Sequence, residues 1–107
     1  MTPGRGEVYL CNLDPTIGIE IRKTRPAVVI SPDELNEHWP SCLVAPMTTG
    51  SRQYPFRVAC RFDGVNGHVV LDQIRAVDTA RLVRRLGRLS GPTTAKVLAV
   101  AREMFAD

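Results

Sequence analysis

Short apolar runs alternate with polar segments along most of this chain, and the spacing of the apolar positions predicts strands. Residues 7–12 alternate with approximately the period of a half-buried strand, whereas residues 26–30 form a continuous apolar run typical of a buried one. The predicted strands cover residues 7–12, 26–30, 42–47, 56–62 and 84–89. Residues 68–71 and 73–77 form one strand or two, with an interruption at Asp72.

Turn-forming residues separate these strands. Asp14-Pro15 and Gly18 predict a loop after the first strand, because proline lacks a donor and glycine permits unusual dihedral angles. Residues 48–51 and 63–67 are predicted turns, the second ending in Asn66-Gly67. Residues 78–82 predict a single helical turn.

Two helices are predicted from their start signals. Ser31 is expected to cap a short helix with Pro32 at its first position, and Pro40 limits its length. Ser90 is expected to open the last helix, with Pro92 near its start. One stripe of that helix is apolar and comprises Val97, Leu98, Ala101, Met104 and Phe105.

Many short strands followed by one amphipathic helix predict a mainly β fold with a C-terminal helix, built as a small curled sheet or barrel. At 107 residues and 44% hydrophobic, the chain is expected to form a single domain spanning residues 1–107. It has no apolar run long enough for a membrane span and no signal-peptide pattern, so we expect a cytoplasmic protein. The three cysteines lie far apart and are expected to be reduced, buried thiols.

The charge of the chain is mildly basic, with a formal net charge of +3. Lys23 and Lys96 are the only lysines, so nearly all its cations are arginines. Arginine is the better bidentate phosphate ligand, which favours a phosphate-bearing partner, but a genome rich in G and C would give the same bias. The composition leaves both explanations open.

Three polar segments are candidates for chemistry, since the chain has no glycine-rich phosphate loop, no metal-ligand spacing and no Gly-x-Ser-x-Gly motif. The first is the loop carrying Glu20, Arg22, Lys23 and Arg25. The second is residues 48–52 and the third residues 71–75. The simpler interpretations are a solvated loop, an ordinary hydroxyl-rich turn and an edge strand or bulge. His38 and His68 are expected to be surface residues without a catalytic part.

Strand periodicity places Thr48 and Thr49 on opposite faces, so only one of them is expected to share a site with Arg25. An arginine can stabilise the charge on a phosphoryl group in transit, and a threonine hydroxyl can orient one of its oxygens. A carboxylate such as Glu20 could accept a proton. RNA supplies its own nucleophile in the 2′-hydroxyl.

Several short motifs together resemble the MazF/PemK/Kid toxins, the ribosome-independent mRNA interferases of bacterial toxin–antitoxin modules. They span the chain from about Gly4 to Phe105 in the family's order and spacing. The motifs are Gly6-Glu-Val-Tyr9, Leu13-Asp-Pro-Thr16, Gly18-x-Glu20, Thr24-Arg-Pro26 followed by Ala-Val-Val-Ile, Thr48-Thr49 with Tyr54-Pro-Phe56, and Leu71-Asp-Gln-Ile-Arg75.

The resemblance implies an SH3-like barrel with a C-terminal helix, and a homodimer. It also implies cofactor-free and metal-independent cleavage of single-stranded RNA, leaving a 2′,3′-cyclic phosphate and a 5′-hydroxyl. Arg25 and Thr48 match the family's catalytic arginine and threonine, and Glu20 matches a carboxylate implicated in some members. Further RNA contacts are expected from Arg22, Lys23, Thr24, Thr49, Ser51, Arg52, Gln73 and Arg75.

Asp72 matches an aspartate that has a catalytic role in Kid-like members. The arginine and histidine that accompany it there are replaced here by Val70 and Ile19, which favours the Arg25/Thr48 version of the site. The family also implies a cognate antitoxin whose disordered, acidic tail docks on the basic toxin.

Two rival functions come from other classes. Gyrase poisons of the CcdB type are similar in fold and bind a protein target through the C-terminal helix, but they have no chemical need for Thr24-Arg25-Pro26 with Thr48. The other rival is an RNA-binding barrel without activity, for which salt-sensitive binding without cleavage would be the sign.

Overall fold

The computed structural model describes residues 2–15, 17–18, 20, 23–50 and 52–107. Its seven strands are β1 Glu7–Asn12, β2 Thr24–Val29, β3 Ser41–Thr49, β4 Arg57–Phe62, β5 Val65–Val70, β6 Arg75–Asp78 and β7 Leu82–Arg88. Its α-helices are α1 Asp33–His38 and α2 Gly91–Met104, and short 3-10 turns cover Leu71–Gln73 and Thr79–Arg81. The structure therefore confirms a mainly β fold with a C-terminal helix.

The strands form one antiparallel sheet in the order β4-β5-β3-β2-β1-β7, and β6 pairs with β3. Within the described residues no hydrogen-bonded ladder joins β4 to β7, so the sheet is not closed. Its two ends nevertheless meet, because Phe62 of β4 packs on Gly87 of β7. A Cβ at Gly87 would lie 3.1 Å from the Phe62 ring. The expected curled sheet is present, and this contact holds its ends together.

Hydrophobic clusters cover both faces of the sheet. Side chains along β2 alternate between the two faces, so successive residues belong to different clusters. Val28 belongs to a cluster that packs under α2, which we call the helix-side cluster. Ala27 and Val29 belong to the opposite cluster, which we call the far-side cluster. Val97, Val100, Ala101 and Met104 are the α2 side chains that contact the helix-side cluster.

The cysteines are free thiols, as expected. Cys11 and Cys42 are buried in the far-side cluster, and Cys60 is half-buried. Burial raises the pKa of all three thiols, that of Cys42 to about 11. These thiols are therefore protonated at neutral pH.

The start of α1 differs from the prediction. Pro32 is the N-cap and makes no side-chain capping bond. Ser31 is buried instead, where its hydroxyl donates to Asn36 Oδ1 (2.5 Å) and accepts from the Leu43 amide (3.0 Å). The cap prediction for Ser31 was wrong because this hydroxyl joins α1 to β3 rather than closing the helix.

The C-terminal helix begins as predicted, with the Ser90 hydroxyl accepting a hydrogen bond from the Thr93 amide. Its apolar stripe was wrong at Phe105. This residue follows the last helical turn and is 79% exposed, whereas Val100, which the prediction left out of the stripe, packs against the helix-side cluster.

Several strand ends also differ from the prediction. Thr48 and Thr49 belong to β3 and not to a turn, because they pair with His68 and Gly67 of β5. Asn66-Gly67 likewise lies in β5, since Asp63 and Gly64 form the turn with φ values of 54° and 77°. This is the pattern of a two-residue type I′ hairpin.

The strand at residues 68–77 divides in two, with the 3-10 turn at Asp72, which was one of the two alternatives. The helical turn expected at residues 78–82 is the 3-10 turn Thr79–Arg81. The described residues contain no helix with the length and apolarity that a membrane crossing requires.

Candidate functional site

The register of the sheet places Arg25, Thr48 and His68 on one face. Ala27 of β2 lies opposite Pro46 of β3, and continuing this register by two residues sets Arg25 opposite Thr48. Thr48 lies directly opposite His68 of β5. Directly opposed residues in antiparallel strands project their side chains on the same face. The three side chains therefore form a row across neighbouring strands, beyond the end of the far-side cluster.

The position of Thr48 depends on a close approach between β3 and β5. A Cβ at Gly67 would lie only 1.9 Å from the Thr48 carbonyl oxygen. No side chain fits in this space, so only glycine allows β5 to pair so closely with β3 at this point. Thr48 is half-buried at the end of a strand that is fixed in this way.

A pocket of about 250 Å³ opens beside this row of side chains. Arg25, Thr48 and Thr49 line it, so the structure brings these three predicted residues together. The expectation that only one of the two threonines would share a site with Arg25 is therefore wrong, because the pocket lies at the end of the strand, where both residues border it. The rest of the pocket is largely apolar, with Phe62 and Leu86 among its walls, and its lining also includes Asp63 and Asn66. It thus combines a cation and hydroxyl groups with an apolar surface, which suits a phosphate attached to an unstacked base.

The loop between β1 and β2 is tied to the sheet at its base. The Lys23 amide donates to Asp14 Oδ1 (3.0 Å), and the Leu13 amide donates to the Lys23 carbonyl (3.1 Å). Arg75 Nη1 donates to the Leu13 carbonyl (2.9 Å), and Arg81 donates to the carbonyls of Asn12 and Asp14. The loop that leads to Arg25 therefore starts from a fixed position. Arg75, which was predicted to contact RNA, holds the base of this loop through its hydrogen bond to the Leu13 carbonyl.

Glu20 lies in this loop and is not among the described residues that line the pocket of Arg25 and Thr48. Its Oε1 accepts a hydrogen bond from the Ile17 amide (2.5 Å). The carboxylate is therefore engaged within its own loop.

A network of hydrogen bonds surrounds His68 on the other side of Thr48. Gln53 Oε1 lies 3.3 Å from His68 Nε2, and Gln53 Nε2 donates to the carbonyls of Tyr54 (3.2 Å) and Arg57 (2.8 Å). Arg57 binds both carboxylate oxygens of Asp72 at 3.1 Å and lies over the Tyr54 ring. Asp72 is thus held in an ion pair, and the hydrogen bonds that Arg57 donates to this carboxylate raise the pKa of Arg57.

The remaining predicted contacts lie around the site but do not line the pocket. Lys23, Thr24 and Arg52 are exposed, and Gln73 is half-buried in the 3-10 turn before β6. Arg22 and Ser51 fall outside the described residues.

Sequence reasoning overlooked one polar residue that lines the pocket, Asn66, which was assigned to a turn. His68, which was expected to be a surface residue, is half-buried and lies opposite Thr48. The alternation of residues 65–70 contains a strand signal, but it does not tell which strand is the neighbour. The described residues contain no group of three or more histidine, cysteine, aspartate or glutamate side chains that could hold a metal ion.

Comparison with known proteins gives a consistent answer. The family model of PemK-like, MazF-like toxins of type II toxin–antitoxin systems matches residues 4–105. The endoribonuclease toxin MazF of Escherichia coli (strain K12) is 37% identical over 75 residues, which cover 70% of this chain and 68% of that protein.

Two solved structures have the same fold. The crystal structure of MazF from Deinococcus radiodurans has a TM-score of 0.86 and 28% identity, with 98% of this chain and 97% of that chain covered. An endoribonuclease in complex with its cognate antitoxin, from a mycobacterial species, has a TM-score of 0.81 and 25% identity, with 96% and 94% covered.

Proposed function

Since this chain belongs to the family of PemK-like, MazF-like toxins of type II toxin–antitoxin systems, we propose that it is a sequence-specific endoribonuclease that cleaves single-stranded RNA and so inhibits translation and growth. The observation that carries the proposal is the common pocket of Arg25 and Thr48, two residues far apart in sequence. A guanidinium and a hydroxyl in one concave site match the needs of a phosphoryl group in transit.

The reaction is a transesterification that needs neither a cofactor nor a metal ion. The 2′-hydroxyl of the target nucleotide attacks the adjacent phosphorus, and the products are a 2′,3′-cyclic phosphate and a 5′-hydroxyl. Arg25 neutralises the charge that develops on the phosphoryl oxygens, and Thr48 donates a hydrogen bond to one of them. Glu20 stands as the sequence-based candidate for proton transfer.

RNA binding beyond the phosphate draws on the surrounding cations and amides. Lys23 and Arg52 are exposed beside the site and can contact further phosphates. Thr24, Thr49, Gln73 and Arg75 are the remaining described candidates, and Arg22 and Ser51 complete the predicted set. Unpaired bases are required because the edges of a paired base are inaccessible in an A-form helix.

The partners of the chain follow from its family. We propose a cognate antitoxin that covers the site with a disordered, acidic tail, since the chain carries a net charge of +3. Its relative from a mycobacterial species is an endoribonuclease solved with its cognate antitoxin. We further propose that the chain is one toxin domain, acts as a homodimer and works in the cytoplasm.

Cleavage is tested by incubating the purified protein with a long single-stranded RNA in EDTA and mapping new 5′ ends. We expect discrete cuts with 5′-hydroxyl termini at one short sequence. Intact RNA in the presence of folded, antitoxin-free protein would contradict the proposal and favour RNA binding without chemistry or a gyrase-directed toxin.

The site itself is tested with Arg25→Ala and a matched arginine variant. Arg25→Ala should lower the cleavage rate on the order of 100-fold or more, because it removes the charge that stabilises the transition state. Arg102→Ala is the control, since Arg102 is exposed on α2 and does not line the pocket. Equal rates in the two variants, both folded by circular dichroism, would refute the assignment of Arg25.

A further inference from the structure

We propose that the pocket beside Arg25 and Thr48 binds one unpaired guanine, the base of a nucleotide next to the cleaved bond. This inference rests on the proposed ribonuclease function and gives it a base preference. The pocket has a volume of about 250 Å³. Sites for drug-sized ligands begin at about 300 Å³, so this volume suits a single base rather than a larger ligand.

The apolar walls of the pocket can enclose a planar ring. They come from four strands: Pro26 of β2, Met47 of β3, Phe62 of β4 and Leu86 of β7. The Phe62 ring is held in place, because it packs on Gly87 where the two ends of the sheet meet. Every base has a face that stacks on an aromatic ring, so stacking tolerates any sequence. The walls therefore hold a base without selecting which one.

Two polar side chains near the tip of the hairpin between β4 and β5 can select the base. Asp63 is a turn residue and Asn66 follows in β5, and both line the pocket. Asn66 Oδ1 accepts a long hydrogen bond from Arg61 Nη1 (3.5 Å), which leaves the Nδ2 amide group as a donor. Within the described residues no hydrogen bond or ion pair engages the Asp63 carboxylate, whose two oxygens accept. The pocket thus offers two neighbouring acceptors and one donor.

Guanine is the base that matches this set of groups. Its Watson–Crick edge carries the acceptor O6 and then two neighbouring donors, N1–H and the N2 amino group. A carboxylate can accept from both donors at once, while the Asn66 amide donates to O6. The same edge of adenine, cytosine or uracil has a single donor next to an acceptor, and that acceptor would repel the second carboxylate oxygen. Asp63 therefore favours guanine over the other three bases.

The Asp63 carboxylate lies well away from the place of the phosphate. Thr48 lies opposite His68 of β5, whereas Phe62, which precedes Asp63, lies opposite Val65. Three residues of an extended strand cover about 10 Å. Charges separated by more than about 8 Å are largely screened at physiological salt. A nucleotide can span this distance, with its phosphate at the arginine and the outer edge of its base at the hairpin.

The carboxylate is tested with Asp63→Asn. Asparagine tolerates the φ of 54° at this position, and Asn-Gly suits the same hairpin turn, so the substitution removes the charge and keeps the backbone. Asp107→Asn is the control, because Asp107 is exposed at the end of the chain and does not line the pocket. The substrates are oligonucleotides that contain the mapped site, with guanosine, inosine or adenosine next to the cleaved bond.

Inosine lacks the N2 amino group of guanosine and so reports on the second donor. We expect the wild type and Asp107→Asn to cut next to a guanosine and to show a kcat/KM on the order of 10-fold lower for the inosine substrate. Asp63→Asn should cut both substrates with a similar, lowered kcat/KM. A mapped site without guanosine next to the cut, or a wild-type inosine ratio in Asp63→Asn, would overturn the proposal.

A second variant removes the donor instead of the acceptors. Asn66→Ala should lower the preference for guanosine over adenosine but keep the wild-type inosine ratio, because inosine retains O6 and only the contact to O6 is lost. An unchanged preference over adenosine would contradict the assignment of Asn66. Size-exclusion chromatography is run on every variant. Dissociation of a dimer in Asp63→Asn would show that a second copy of the chain covers the pocket, and would also overturn the proposal.

Binding separates this proposal from the ribonuclease function. Fluorescence anisotropy measures the affinity of the protein for a uridine oligonucleotide with one central guanosine or inosine. The wild type should bind the guanosine form on the order of 10-fold more tightly, and Asp63→Asn should bind both forms equally. This preference in a wild type that cuts no RNA would refute the ribonuclease function and support the guanine pocket. Cleavage without the preference would refute the guanine pocket and support the ribonuclease function.

Discussion

Replacing Gly67 by alanine is expected to damage the site without touching any side chain in it. The added Cβ would start 1.9 Å from the Thr48 carbonyl oxygen and 3.0 Å from its carbonyl carbon, whereas real Cβ contacts stay beyond 3.0 Å. The oxygen must therefore retreat by about an ångström, which separates β3 from β5 where Thr48 opposes His68. Overpacking of this kind costs about 1–3 kcal/mol of unfolding free energy.

The same displacement should reduce cleavage more than it reduces stability. A shift of about 1 Å in a catalytic group can lower a rate on the order of 100-fold. We therefore expect Gly67→Ala to show a kcat reduced to this extent at a temperature at which the variant is fully folded. RNA cleavage under saturating conditions gives the rate, and urea unfolding gives the stability.

Alanine variants of two other glycines serve as controls. They separate the displacement of β3 from β5 from the general effects of replacing glycine by alanine. Gly91 has nothing within 4 Å of its would-be Cβ, so Gly91→Ala should resemble the wild type in both assays. Gly64 also has open space but a φ of +77°, so Gly64→Ala should lose about 1–2 kcal/mol and keep its kcat. A folded Gly67→Ala protein with the wild-type rate, or an equal loss of rate in Gly64→Ala, would refute the reasoning.

Three further predictions concern other parts of the fold. Burial is the largest single influence on Glu7 and opposes its ionisation, but the hydrogen bonds from Arg85 and the Gly4 amide and the charges of Arg85 and Arg88 together outweigh it and lower the pKa below the usual 4.5. Glu7→Gln should therefore reduce the unfolding free energy by about 1 kcal/mol at pH 7, and the difference should vanish as the pH falls through the lowered pKa in pH-dependent urea unfolding. Cys60 should be the first thiol alkylated by iodoacetamide, with the two buried cysteines reacting only on unfolding, as peptide mapping would show; early labelling of a buried cysteine would contradict this. Ser90→Ala should cost about 1 kcal/mol of thermal stability, since the Thr93 amide loses its cap, whereas an unchanged melting temperature would show the cap to be dispensable.

The sequence predicted those elements whose signals are local. Ser90 with Pro92 marked the start of α2, and the apolar run after Arg25 marked β2, because caps and buried runs act within a few residues. The same local signals failed at Thr48-Thr49 and Asn66-Gly67, which have turn chemistry but lie in strands. Pairing of β3 with β5 overrode the local preference there.

The site was only partly readable for the same reason. Arg25 and Thr48 could be named from their places at the ends of apolar runs and from the family resemblance. The place of Asn66 in the pocket could not be predicted, because it depends on which strand lies beside β5, and strand order is a property of the whole sheet. The hydrogen bonds from Arg75 and Arg81 to backbone carbonyls could not be predicted either, since a sequence does not show whether an arginine side chain faces solvent or the protein backbone.

The pairing of β1 with β7 makes assembly of the enzyme depend on its last strand. β7 ends at Arg88, yet its neighbour in the sheet is the first strand of the chain. Contacts between such distant residues form late and slowly during folding. A nascent chain that has not yet released β7 lacks one border of β1, the strand that supports Arg25 through β2. A translation product that stops before β7 should therefore lack cleavage activity and be harmless.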